Sequence, residues 1–96
     1  LYGHSRDISG YARALEWFDF EIGKVLRKLK ADDLLILTAD HGNDPSWTGT
    51  DHTRERVPML AAGAGVKEAG ILDFVDVAAT VATHLGITPP RGRSFL

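Results

Sequence analysis

Four side chains able to hold a cation stand in a 96-residue chain that contains no cysteine: His4, Asp40, His41 and His52. Three of them fall in the stretch TADHGNDPSWTGTDHTRERVP, Thr38 to Pro58, where the pair Asp40-His41 recurs as Asp51-His52. Imidazole and carboxylate without thiolate suit zinc, manganese or iron, whereas all-oxygen sites suit magnesium and calcium. A divalent ion held this way lowers the pKa of bound groups and polarises phosphoryl oxygens. Two such ions about 3.5–4 Å apart clamp an in-line phosphoryl displacement. The four residues suffice for one ion or for parts of two. An octahedral pair needs further carboxylates that the chain does not obviously supply.

Each residue also has a plainer reading. Asp-His-Gly after a strand is good turn chemistry, and a histidine in a polar loop is often simply solvated. Asp44 and Asp51 read as turn formers, and His84 as a cation near a helix carboxyl end. Trp47 and the region of Trp17 read as packing. What raises the four above these readings is placement, which depends on the elements around them.

Between Gly10 and Leu29, apolar residues at Tyr11, Ala14, Leu15, Phe18, Ile22, Val25, Leu26 and Leu29 step by three and four, the period of one helix face. Asp7 or Ser9 can cap its start. Leu34 to Thr38 is apolar without alternation, as in a strand buried on both faces of a parallel sheet. Val57 to Ala62 reads as a second strand, with Pro58 near its start. A glycine-rich turn follows. A second helix then places Val77, Ala78, Val81 and Leu85 on one face, with Asp76 as N-cap and Gly86 as its stop. The tail TPPRGRSFL reads as irregular.

Parallel strands joined by a helix cross over right-handedly. A strand supplied by residues before Leu1, with Tyr2-Gly3-His4 at its carboxyl end, and the strand ending before Asp40-His41 are therefore expected to deliver both motifs to one sheet edge, the carboxyl edge where open α/β sheets hold ligands. Gly42 to Arg56 shows no helical pattern, so Val57–Ala62 is expected to return antiparallel. That keeps His52 at the same edge. Three histidines and one aspartate converge on this reading.

Composition bounds the rest. A chain that is 44% hydrophobic and 25% charged, with net charge −2, is ordinary for a globular domain. It has room for only a thin core. The weakly acidic balance argues against nucleic acid or an anionic membrane as main partner. No apolar run approaches the roughly 20 residues of a membrane span. The start LYGHSRD lacks the pattern of a signal peptide. A cytoplasmic location is compatible with all of this. The absence of an initial Met predicts an internal or carboxy-terminal piece of a longer protein.

The motifs YGH, GYARALEWFD, TADHGND and DHTRE, with SFL at the end, resemble the carboxy-terminal part of the phosphopentomutases, members of the alkaline phosphatase superfamily. TADHG by itself is shared with cofactor-independent phosphoglycerate mutases, so that family and other phosphohydrolases of the superfamily remain alternatives. A small non-enzymatic α/β domain is another. The resemblance implies an α/β fold, residues 1–96 forming part of a mixed, mostly parallel sheet flanked by helices in a metal-binding core domain. It also implies two Mn²⁺ ions, with Zn²⁺ or Mg²⁺ possible: Asp40 and His41 on one, His4 and His52 on the other. The implied substrate is a small sugar phosphate, (deoxy)ribose 1-phosphate or 5-phosphate, in nucleoside catabolism. The phosphothreonine, the remaining metal carboxylates and the cap domain lie elsewhere in the parent chain, so this segment carries no catalytic nucleophile. Ser5, where the family usually has Arg, and Arg93, where it has Thr, depart from the pattern.

Overall fold

In a computed structural model the chain forms α1 (Ile8–Leu26), β1 (Leu34–Leu37), β2 (Leu60–Gly63) and α2 (Phe74–His84). The structure describes residues 1–53 and 56–96, so Arg54 and Glu55 of the DHTRE motif lie outside the described residues. β1 and β2 pair antiparallel in a two-stranded sheet, the direction expected for the return strand. The chain divides into two compact units, Leu1–Leu29 with Ile36–Leu60, and Lys30–Leu35 with Ala61–Leu96. No helix is long and apolar enough to cross a membrane among the described residues.

In the first unit, α1 starts two residues before the expected Gly10 because Asp7 is its N-cap. The Asp7 Oδ1 accepts the Gly10 N–H at 2.9 Å, satisfying one of the free donors at a helix start. The helix ends at Leu26, with Lys24 in its last turn, where a cation opposes the dipole. The apolar stripe is present but largely uncovered: Leu15, Phe18, Val25 and Leu26 are all exposed. Trp17 and Trp47, read as packing residues, are 63% and 60% exposed within this chain.

β2 begins at Leu60, three residues after the expected Val57. Pro58 has no N–H to give to a ladder, so pairing starts beyond it. In the second unit, the Ala64 N–H donates to the Asp33 carbonyl at 3.1 Å, just past the end of β2.

α2 departs from expectation at its start. Its N-cap is Asp73, and Asp76 occupies the third helical position. Asp76 Oδ2 accepts the Asp73 N–H at 3.0 Å, reaching back over the first turn as the acidic member of a capping box does. The stop is as expected, with Gly86 at φ 77° just past the Leu85 C-cap. The buried face is not the expected one. Ala79 and Thr80 are buried, whereas Val81 and Leu85 are 42% and 66% exposed.

The tail explains this. Phe95, only 5% exposed, donates its backbone N–H to Thr80 Oγ1 at 3.1 Å, and its carbonyl accepts the Lys67 N–H. Arg93 donates its N–H to Asp76 Oδ1 at 2.8 Å. Gly92, at φ 83°, passes so close that a Cβ would stand 2.9 Å from the Val75 carbonyl carbon. The irregular tail is therefore a hydrogen-bonded strap that selects which side of α2 is covered.

Thr80 holds both sides of the strap. Its hydroxyl donates to the Asp76 carbonyl at 2.7 Å and accepts from Phe95. Thr80→Val keeps the shape but strands the buried Phe95 N–H, at a cost of about 1–3 kcal/mol. Thr80→Ser is expected to retain most of the stability, and denaturant unfolding of the three proteins checks the order.

The two N–H donors from Asp73 and then Arg93 favour charged Asp76 and hold its carboxyl below the ordinary 3.8. A depressed folded pKa contributes stability that is present above the unfolded value and lost as pH falls through the folded one. Asp76→Asn should therefore flatten the acid limb of the stability–pH curve below about pH 5. Unfolding midpoints across that range, with wild type as reference, provide the check.

Candidate metal centre

β1 ends at Leu37, and the chain passes directly into Asp40-His41-Gly42. An isolated antiparallel bridge then pairs Gly42 with Thr53, and the Thr53 N–H donates to the Gly42 carbonyl at 3.0 Å. This bridge closes the polar loop and brings His52 back beside His41. The Tyr2-Gly3-His4 segment forms a tight turn ahead of α1, in which Arg6 and Asp7 donate to the Gly3 and Tyr2 carbonyls. All of these residues belong to the first unit.

The structure brings His4, His41 and His52 together, one nitrogen of each lying within 4.8 Å of the others. His41 is half-buried and the other two are exposed. Ligands trans across one octahedral ion at about 2.1 Å stand about 4.2 Å apart, so a spread of up to 4.8 Å is slightly wider than one ion spans. Asp40 is not a member of this three-residue group. Its Oδ1 stands 3.6 Å from His41 Nε2 on a side chain that is 89% exposed.

Ring orientation says which nitrogens are available. His4 Nδ1 lies 2.6 Å from the Thr50 carbonyl, and His41 Nδ1 lies 3.0 Å from the Gly42 carbonyl. A carbonyl oxygen only accepts, so both Nδ1 atoms carry the proton and donate it. In the neutral ring this leaves the lone pair on Nε2. Metal-binding histidines are commonly fixed in this manner, with the non-ligating N–H given to a backbone carbonyl. The tautomer also places two lone-pair atoms, His41 Nε2 and Asp40 Oδ1, side by side. Their mutual repulsion is relieved by a cation shared between them.

The planes of the rings differ in a useful way. His41 and His52 are stacked, with centroids 3.5 Å apart and planes 11° from parallel. His4 is inclined to His52 by 54° at 5.2 Å, and to His41 by 62° at 6.2 Å. A nitrogen lone pair lies in its ring plane, so inclined rings can meet on one ion and stacked rings do so poorly.

Other polar residues of the loop serve the backbone. Asp44 Oδ1 accepts from the Ser46 hydroxyl at 2.6 Å and from the Ser46 N–H at 2.9 Å, contacts that hold its carboxyl below the ordinary range. Asp51 Oδ1 accepts the His52 N–H at 2.8 Å. Both are turn formers, as read from the sequence. Thr50 and the Gly42–Thr53 bridge were not legible there. A backbone carbonyl that orients a ring leaves no side-chain signature.

Comparison with known proteins agrees with the chemistry of this donor set. The metalloenzyme superfamily model matches residues 1–89. The chain is 56% identical over its whole length to a phosphopentomutase of Chromohalobacter salexigens, and 58% identical to one of Rhizobium rhizogenes. With a phosphopentomutase of Shewanella woodyi it shares 55% identity over 99% of its length. It covers 25%, 25% and 24% of these relatives, so it spans about a quarter of their length. A donor set of three imidazoles with an adjacent carboxylate, and a family model spanning nearly every residue, lead to one conclusion: the chain belongs to the metalloenzyme superfamily.

Proposed function

We propose that this segment supplies histidine ligands to a two-ion centre of a phosphopentomutase, with Asp40 and His41 on one Mn²⁺ and His4 and His52 on the other. The observation that carries the reading is the stacking of His41 on His52 at 3.5 Å. Nearly parallel rings keep their in-plane lone pairs in two separate, nearly parallel planes, which suits two ions about 3.5–4 Å apart better than one. His4, inclined by 54°, can share an ion with His52. Asp40, 3.6 Å from His41 Nε2, can share the other. The segment belongs, on this reading, to the metal-binding core domain, and the remaining carboxylates come from elsewhere in the parent chain. A cytoplasmic location accords with the chemistry.

Bound divalent ions would offset charge on a transferring phosphoryl group and lower the pKa of an attacking oxygen. The work of this segment is orientation. The Thr50 carbonyl fixes the His4 ring, and the Gly42 carbonyl fixes that of His41. Both Nε2 atoms are thereby pre-aimed, and ordering costs at the moment of ligation are reduced. The substrate would be a pentose 1-phosphate or 5-phosphate, carried through a phosphothreonine outside the segment. The exposed apolar residues of α1 would be covered by the rest of that chain.

The test uses the full-length protein. Mutase turnover is expected with ribose 1-phosphate and not with 2-phosphoglycerate, and none is expected from the 96 residues alone. Calorimetry should count two Mn²⁺ per chain. His41→Ala and His52→Ala are each expected to weaken a different ion, by more than the about 10–100-fold typical of changes to groups that merely support ligands. Two full-strength ions in both variants would remove the assignment, and turnover on 2-phosphoglycerate alone would move the protein to the phosphoglycerate mutases.

A further inference from the structure

The turn bearing His4 and the loop bearing His41 meet at a contact that involves neither histidine. Gly3 is buried, and a Cβ at this position would overlap Asn43 Oδ1, stand 2.8 Å from Asn43 Cγ and lie 3.3 Å from Tyr11 Cε2. The amide of Asn43 therefore occupies the space that any larger residue at position 3 would need. Its oxygen is also buried without a hydrogen-bond partner, one of two such side-chain atoms among the described residues, with Thr53 Oγ1. A buried amide oxygen left without a partner is destabilising. Hydrogen bonding of that oxygen does not account for the arrangement. Its consequence is spacing: Gly3 adjoins His4, and Asn43 lies two residues past His41.

We infer that the contact of the Asn43 amide with the bare Cα of Gly3 sets the distance between His4 and His41, which makes Asn43 a positioning residue of the centre. This rests on the reading of His4, His41 and His52 as ligands. The argument is one of tolerance. Metal–ligand distances hold within about 0.2 Å, whereas an added methyl at Gly3 requires a displacement greater than that before the overlap with Asn43 is relieved. The hydrogen bond of His4 to Thr50 resists rotation of the ring back into place. The overlap is relieved by rotation of the Asn43 amide or by a shift of the turn, and a shift of the turn carries His4 away from the other two nitrogens. Shortening residue 43 removes the obstacle and lets an alanine at position 3 be accommodated.

The experiment is a double-mutant cycle in the full-length protein: Gly3→Ala, Asn43→Ala and the pair, with His52→Ala as control. Mn²⁺ affinity is measured by calorimetry, and unfolding midpoints are measured in chelator. Gly3→Ala is expected to weaken Mn²⁺ binding by about tenfold or more, the scale of changes to groups that support ligands. Asn43→Ala is expected to have a smaller effect, and the pair to recover most of the loss. Unchanged affinity in folded Gly3→Ala would overturn the inference even if its midpoint falls, because that pattern is stability alone. An additive cycle would overturn it as well. Should Gly3→Ala fail to fold, recovery of both fold and affinity in the pair supports the contact, and recovery of fold with affinity still lost refutes it. Wild-type Mn²⁺ binding by His52→Ala would strike at the ligand reading itself.

Discussion

The histidine cluster depends on backbone carbonyls holding imidazole rings. An imidazole on a free side chain samples many orientations and offers either nitrogen. The contacts of His4 with Thr50 and of His41 with Gly42 remove both freedoms at once, because a carbonyl demands a donor and so assigns the proton to Nδ1. The His4 contact spans 46 positions of sequence. A property that belongs chemically to one side chain is therefore set by where a distant loop is placed. That loop is in turn placed by the isolated bridge of Gly42 with Thr53. The short apolar run of β1 matters for the same reason, since it delivers His41 and Gly42 together to the point where the bridge forms.

A different economy operates in the second unit, where little apolar surface is buried and polar contacts define the structure. Among the described residues only Ala79 and Phe95 are buried hydrophobics, and the buried polar side chain between them is Thr80. One hydroxyl serves α2 as a donor and the tail as an acceptor, and one carboxylate, Asp76, collects an N–H from each. Such networks specify a register more sharply than apolar packing does, because a shift by one residue leaves buried donors unpaired. The exposed Val81 and Leu85 show the converse. Periodicity marks a face as able to be buried, while the tail determines which face is.

The same distinction explains what was readable in the sequence. Both helices and both strands follow from apolar period, a local signal, and the antiparallel return follows from a connecting loop with no helical pattern. The cap of α1 was legible to within a choice of two residues. The start of α2 was not, because Asp73 and Asp76 are both competent caps and only the backbone decides between them. At the centre, histidines announce themselves by type, and topology brings them to one edge. Thr50, by contrast, acts through its carbonyl and Gly3 through what it lacks. Neither carries a residue type from which its role could be read. Burial along α1 was overestimated, because the expectation assumed a covering layer that the described elements do not form.

The two positions that depart from the phosphopentomutase pattern sharpen this point. Arg93 contacts Asp76 through its main-chain N–H, so the strap asks of that position only a backbone donor and a compatible conformation. The positive charge beside Asp76 adds a further, smaller pull in the same direction as the hydrogen bonds. Ser5 likewise enters its turn through the backbone, donating its N–H to the Leu1 carbonyl while the residue itself is exposed. Substitution is tolerated geometrically where the peptide group makes the contact. It is not tolerated where an imidazole supplies a lone pair, or where the absence of a side chain lets two segments approach. His4 and Gly3 stand next to each other in that second class, and the tight Tyr2-Gly3-His4 turn is the place where the two demands coincide.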